Sequence, residues 1–179
     1  MKRQWLVIIL LLASAALLRL QIYTEHERGD AREKAGQLTS VDPDTMSRIR
    51  IQRAADTLEF IKQGESWQMV KPEQAAANPE RITELRALAI LDVLASYDAN
   101  KMDLAAYGLK PPQLSVWLDD TRIDFGALNP ANQRRYVLVG QRLNLIADNI
   151  FPILNLPAEK FVAPPPDKKN EQAHDATSR

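Results

Sequence analysis

The spacing of hydrophobic and polar positions changes character along this chain. An unbroken apolar run from Trp5 to Leu18 gives way to a charge-dense segment, then to short alternating stretches, a stretch with helical spacing, and alternation again. Alternation places successive side chains on opposite faces of a strand, whereas apolar positions three and four apart line one side of a helix. Ile49 and Ile51 alternate with Arg48, Arg50 and Gln52, and Leu58 and Phe60 alternate with Glu59 and Ile61. A third short strand, Trp67 to Val70, follows the turn residues Gly64-Glu65-Ser66, so an antiparallel meander is predicted.

Lys71-Pro72 ends the meander, and Asn78-Pro79 opens a helix, with Asn as N-cap and Pro at a position whose missing N–H costs nothing. Ile82, Leu85, Leu88, Ala89, Leu91 and Val93 extend the apolar arc, predicting the main helix to about Ser96. Asp92 lies inside that run and reads as a polar edge position. Asp103 caps a short turn that Gly108 terminates. In Tyr107-Gly108-Leu109-Lys110-Pro111-Pro112 the glycine accepts positive φ and the prolines force the chain out extended. Leu114, Val116 and Leu118, turned by Asp119-Asp120 into Ile123 and Phe125, form a hairpin. Gly126 to Gln133 reads as a loop, Tyr136–Val139 and Leu143–Ala147 as a second hairpin, and Asn149–Leu156 as a terminal helix interrupted by Pro152. The fold class expected is α+β: an N-terminal transmembrane helix, then a β-meander and hairpin domain of about seven strands with one main packed helix.

Two readings fit the N-terminus. Ala13-Ser14-Ala15 has the shape of a signal-peptide cleavage site, yet Leu17-Leu18 continue the apolar run beyond it. Counted from Trp5 to Tyr23, through Ile8, Leu12 and Leu18, the segment is about 19 residues, roughly 28 Å of helix, enough to span a bilayer. Trp5 and Tyr23 then fall at the two interfaces, where amphipathic rings are favoured. The anchor is the expectation. Its short basic start, Lys2-Arg3, places the N-terminus inside and the domain on the periplasmic or extracellular side of a bacterial inner membrane, although Arg19, Arg28, Arg32 and Lys34 weigh the other way. Residues 24–40 carry charges of both signs and read as a solvated stalk, residues 41–163 as a single domain, and residues 164–179, with Pro164-Pro165-Pro166, as a disordered tail.

Composition narrows function mainly by exclusion. Lys plus Arg equals Asp plus Glu at 23 each, without the basic block a nucleic-acid binder needs. The chain has no Cys, so thiolate chemistry is closed, and its two histidines, His26 and His174, lie in the stalk and tail, so no Ser-His-Asp set forms inside the fold. Neither clustered metal ligands nor a Gly-rich phosphate loop appears, and no cofactor is expected. Glycoside hydrolysis would require two of Glu59, Asp92, Asp124 and Asp148 to converge. Trp117 falls on the strand face opposite Leu114, Val116 and Leu118. It either joins Arg135 and Tyr136 in an exposed partner patch or sits in a second core layer under the Ile82 helix.

Trp67 with Pro72, then the long helix, Tyr107-Gly108-Leu109 with Pro111 or Pro112, the strand end Phe125-Gly126, and Arg135-Tyr136-Val137 before a further hairpin form a recognisable series. From about Ile49 to Val162 the chain resembles the bacterial family catalogued as domain of unknown function number 4340. The resemblance implies a membrane-anchored, strand-rich unit, in some members associated with gliding-motility-type ABC transporter components, and brings no catalytic residue. The expected function is a non-enzymatic, membrane-tethered accessory or interaction module of the cell envelope, with another envelope or transport protein as partner. The alternatives are a tethered enzyme acting on an envelope polymer and a cleaved, soluble periplasmic binding protein. Partner identity and oligomeric state are left open.

Overall fold

The structure is a computed structural model, and it describes residues 36–164. The expected span with Trp5, Ile8, Leu12, Leu18 and Tyr23, the stalk through residue 35 and the tail from residue 165 lie outside the described residues. Among the described residues no helix is long and apolar enough to cross a membrane.

Among the described residues nine strands form one sheet: β1 (Arg48–Gln52), β2 (Thr57–Gln63), β3 (Ser66–Lys71), β4 (Ala75–Ala76), β5 (Ala95–Asp98), β6 (Leu114–Leu118), β7 (Thr121–Asn129), β8 (Arg134–Val139) and β9 (Arg142–Ala147). Their order is β4-β3-β2-β1-β6-β7-β8-β9-β5, and the neighbours are antiparallel. Helix α1 (Pro79–Ala87) covers one face, and the short α2 (Phe151–Leu154) packs against the same core. The α+β expectation holds, with one sheet of more strands than the pattern suggested.

The period-2 pattern decides which face is buried. Ile49, Ile51, Leu58, Phe60, Val116, Leu118, Ile123, Phe125 and Val137 point to the helix side, and Ile82, Leu85 and Leu88 meet them there. Each such side chain contributes about 1.5–3 kcal/mol on leaving water, which is why this register is fixed. The helix starts as the sequence indicates: the Asn78 side chain accepts from the Glu80 N–H at 3.0 Å, and Pro79 occupies the first turn.

It does not end as expected. Helix α1 stops at Ala87, a 3₁₀ turn covers Leu88–Ile90, and the chain then runs extended into β5. Leu88 and Leu91 are spaced three apart, as on a helix face, whereas Leu91 and Val93 are spaced two apart, as on a strand face. Long-range pairing selects the strand: Leu38 N–H donates to Leu91 O at 2.8 Å, Val93 N–H to Gly36 O at 3.1 Å, and Leu94 N–H to Leu145 O at 2.8 Å. Asp92 is exposed on this ladder, opposite Gln37. The same contacts move the start of the packed region into the stretch read as stalk, because Leu38 is buried in the core.

Three smaller corrections have local causes. The expected loop at Gly126 is strand: β7 continues to Asn129 through a register shift between Phe125 and Leu128. Pro152 lies in the first turn of α2, where it begins the helix. Asp119 is more than a turn residue, since its carboxylate accepts from the N–H groups of Ser47 and Arg48 at 3.0 and 2.9 Å and pins the start of β1.

No residue pattern recurs at a fixed period in the chain, yet the topology is paired about the central β1–β6 contact. A meander lies on each side, β1-β2-β3 and β6-β7-β8-β9, and each leads into a helix on the core face. The segment after α1 crosses to the far edge as β5, beside β9. The segment after α2 crosses the other way: Ala163 N–H donates to Ala76 O at 2.8 Å, and Asn78 N–H to Phe161 O at 2.7 Å. Each half therefore lends its tail to the edge of the other.

Candidate functional site

The sheet face away from α1 is divided. At the β9–β5 end, the segment from Ala99 to Leu109 folds back and makes a second small core from Ala99, Leu109 and Leu143, with Met102, Tyr107 and Tyr136 packed against it. Over β2, β1, β6 and β7 the face is open, and direct cross-strand pairing sets Glu59, Arg50, Trp117 and Arg122 in one row. Cross-strand neighbours lie about 5 Å apart, so these four residues are adjacent along the row.

Trp117 is half-buried and belongs to neither core. The Arg50 guanidinium lies over its ring at 3.9 Å from the centroid, and that of Arg122 stands 5.2 Å away. The two cations differ in their partners. Arg122 bonds to Asp124 at 2.8 Å, and Asp124 also accepts from the Ser115 hydroxyl at 2.5 Å. Glu59, directly across from Arg50, is taken by Lys71 at 2.9 Å, with Arg48 at 3.8 Å. Arg50 has no carboxylate within ion-pairing distance among the described residues, and its Nε is buried without a hydrogen-bond acceptor.

The patch expected from Trp117, Arg135 and Tyr136 does not come together. Successive residues of a strand face opposite ways, so Arg135 and Tyr136 separate at β8. Arg135 points to the core side and is 6% exposed. It pairs with Asp148 (Nη2 to Oδ2, 3.1 Å), donates to Gly126 O at 2.7 Å and Gln113 Oε1 at 3.0 Å, and its guanidinium stacks on Phe151 at 3.4 Å. It is a fully engaged clamp between β8 and α2. Tyr136 shares Trp117's face but lies in the second core, edge-on to Tyr107 at 4.7 Å, with its hydroxyl accepting from Asn129 Nδ2 at 2.9 Å. Burial, with the neighbouring Tyr107 and Tyr97 adding to it, pushes its hydroxyl above the ordinary tyrosine range. The other reading of Trp117, a core position under the Ile82 helix, also fails, because that helix covers the opposite face. Arg50 and Arg122 were missed as flanking residues, although their alternation with Ile49, Ile51 and Ile123 places them beside Trp117 once strand order is known.

The remaining motif residues are architectural. Trp67 packs against the edge of the main core. Gly108 has φ +66°, and a Cβ there would press on Ala127 N at 3.0 Å; a Cβ at Gly126 would meet the Leu109 side chain at 2.8 Å and the Tyr107 carbonyl. Ala127 N–H donates to Tyr107 O at 2.8 Å. Tyr107-Gly108-Leu109 and Phe125-Gly126 are thus two halves of one close backbone contact, and Pro111 directs the chain from it towards β6.

The four acids considered for glycoside chemistry stay apart. Glu59 and Asp124 lie three strand spacings from each other, about 14 Å of sheet, wider than the separation either hydrolytic geometry uses. Asp148 is held by Arg135 on the other face. Among the described residues no cluster of His, Cys, Asp and Glu could hold a metal ion. A groove of about 620 Å³ runs between β3 and α1, lined by Lys62, Trp67, Ile82, Thr83 and Arg86.

Fold and face together define a single antiparallel α+β unit with a helix-covered side and an open, cationic, Trp-centred side. The profile of the family described as Domain of unknown function (DUF4340) matches residues 18–112 and 67–164 in two overlapping stretches, and the chain belongs to that family. No curated protein and no solved structure matches it.

Proposed function

We propose that this protein is a non-enzymatic, membrane-tethered interaction module of the bacterial cell envelope that serves a transport assembly. In this reading Trp5 to Tyr23 form a single span of the inner membrane, and the sheet domain stands on the periplasmic side. One observation carries it: Trp117 lies half-buried on the open face, framed by Arg50 and Arg122 and outside both hydrophobic cores. Trp and Arg are the residue types most enriched where protein partners bind tightly, and a broad sheet face presents them without a pocket.

The test is site-specific photo-crosslinking in cells with the tagged, full-length chain. A crosslinking residue at Gln52, exposed on the Trp117 face, is compared with one at Thr83, exposed on α1. A discrete adduct to an envelope or transport protein from position 52 and not from 83 supports the reading. Identical adducts from both positions, or none, overturn it.

A further inference from the structure

The open face names the chemistry of its partner, on the reading that it is a docking surface at all. Four cations, Arg48, Arg50, Lys71 and Arg122, stand on or beside it, with the carboxylates of Glu59 and Asp124 among them and those of Asp119 and Asp120 at its Arg48 end, and Arg48, Lys71 and Arg122 are each more than half exposed. Glu59 and Asp124 are engaged by cations other than Arg50, as described above. Arg50 is left with a planar fork of donors and no anion. Its stack on Trp117 holds the guanidinium in place, so little side-chain freedom remains to be lost when an acceptor arrives.

We infer that Arg50, held by Trp117 and seconded by Arg122, receives a carboxylate from an acidic segment of a partner protein. A guanidinium fork matches a carboxylate with two parallel hydrogen bonds, and its partial burial strengthens them. A sugar ring is a poorer fit. Aromatic recognition of sugars uses a bare ring face, and here guanidinium groups stand against the indole at 3.9 and 5.2 Å. The row also runs across four strands, which suits a chain laid over them better than a small free anion.

The full-length protein in detergent is immobilised, and three probes are passed over it: poly-L-glutamate, alginate as a carboxylated glycan, and vesicles containing phosphatidylglycerol. Poly-L-glutamate binds most tightly, with an affinity that falls as salt rises. Arg50→Gln weakens it about tenfold, and Arg50→Lys, which keeps the charge but loses the fork, weakens it several-fold at an unchanged melting temperature. Because Arg50→Lys preserves the stack's cation, it keeps the test valid if Arg50→Gln folds poorly. Unchanged poly-L-glutamate binding in both variants overturns the inference, as does tighter binding of alginate or vesicles. A position-52 crosslink that survives Arg50→Gln sinks this inference alone, whereas absence of any crosslink removes the docking surface itself.

Discussion

At the scale of single residues, the groups with the most chemistry in this fold are committed to structure or held beside it. Arg135 is satisfied by Asp148, Gly126 and Gln113, and Arg53 by Asp56 and the carbonyl of Leu156 at 2.5 Å, so both cations stitch the C-terminal segment to the sheet. Tyr136 shows a measurable consequence of burial. Its hydroxyl is harder to ionise folded than unfolded, mainly because burial disfavours the phenolate, with the nearby tyrosines adding to that. The contribution this makes to stability is fully present below the unfolded tyrosine value, near pH 10, and is lost as pH rises through the higher folded value. Denaturant midpoints measured across the alkaline range should therefore fall for the parent protein, and Tyr136→Phe should remove part of that fall. A variant whose alkaline slope equals the parent's would show that Tyr136 does not supply it.

Between elements, the close contact of the Tyr107–Leu109 turn with Phe125–Gly126 in the middle of β7 carries the clearest prediction. Gly126→Ala places a methyl against Leu109 and the Tyr107 carbonyl, and backbone on one side leaves little to yield. Overpacking of this kind costs about 1–3 kcal/mol, so thermal unfolding should shift down by several degrees, while Gly36→Ala, with open space around it, should be near neutral. The glycines and prolines of this motif were legible in the sequence as punctuation, because turn chemistry is local. So were β1–β3, β6, β8 and β9, as short alternating or apolar runs bounded by turn residues. What stayed hidden depends on pairing across the chain. Nothing local distinguishes Leu91 and Val93 as the end of a helix from the approach to an edge strand until residues 36–38 and β9 supply hydrogen-bond partners. Arg135 misled for a related reason: it reads as a surface cation, and only the Asp148 carboxylate, 13 positions on, makes its burial tolerable.

Across the whole molecule, the reciprocal exchange of tails makes the two halves interdependent. β5 follows α1 but completes the sheet beside β9, and the segment after α2 completes it beside β4, so neither half closes its own edge. Phe161 is the lock on one side of this exchange. It is fully buried, its ring stands 5.7 Å from that of Phe60, and its carbonyl accepts from Asn78 at the start of α1. Phe161→Ala should cost about 3–5 kcal/mol, a large share of the roughly 5–15 kcal/mol that holds a domain of this size together. The distinguishing result lies in cooperativity. If the halves are tied as the topology indicates, the variant unfolds in one transition, and amide exchange accelerates in β8 and β9 as much as in β2 and β3, far from the substitution. Faster exchange confined to β2, β3 and α1 would mean instead that each half holds its own stability and that the exchanged tails only decorate the edges.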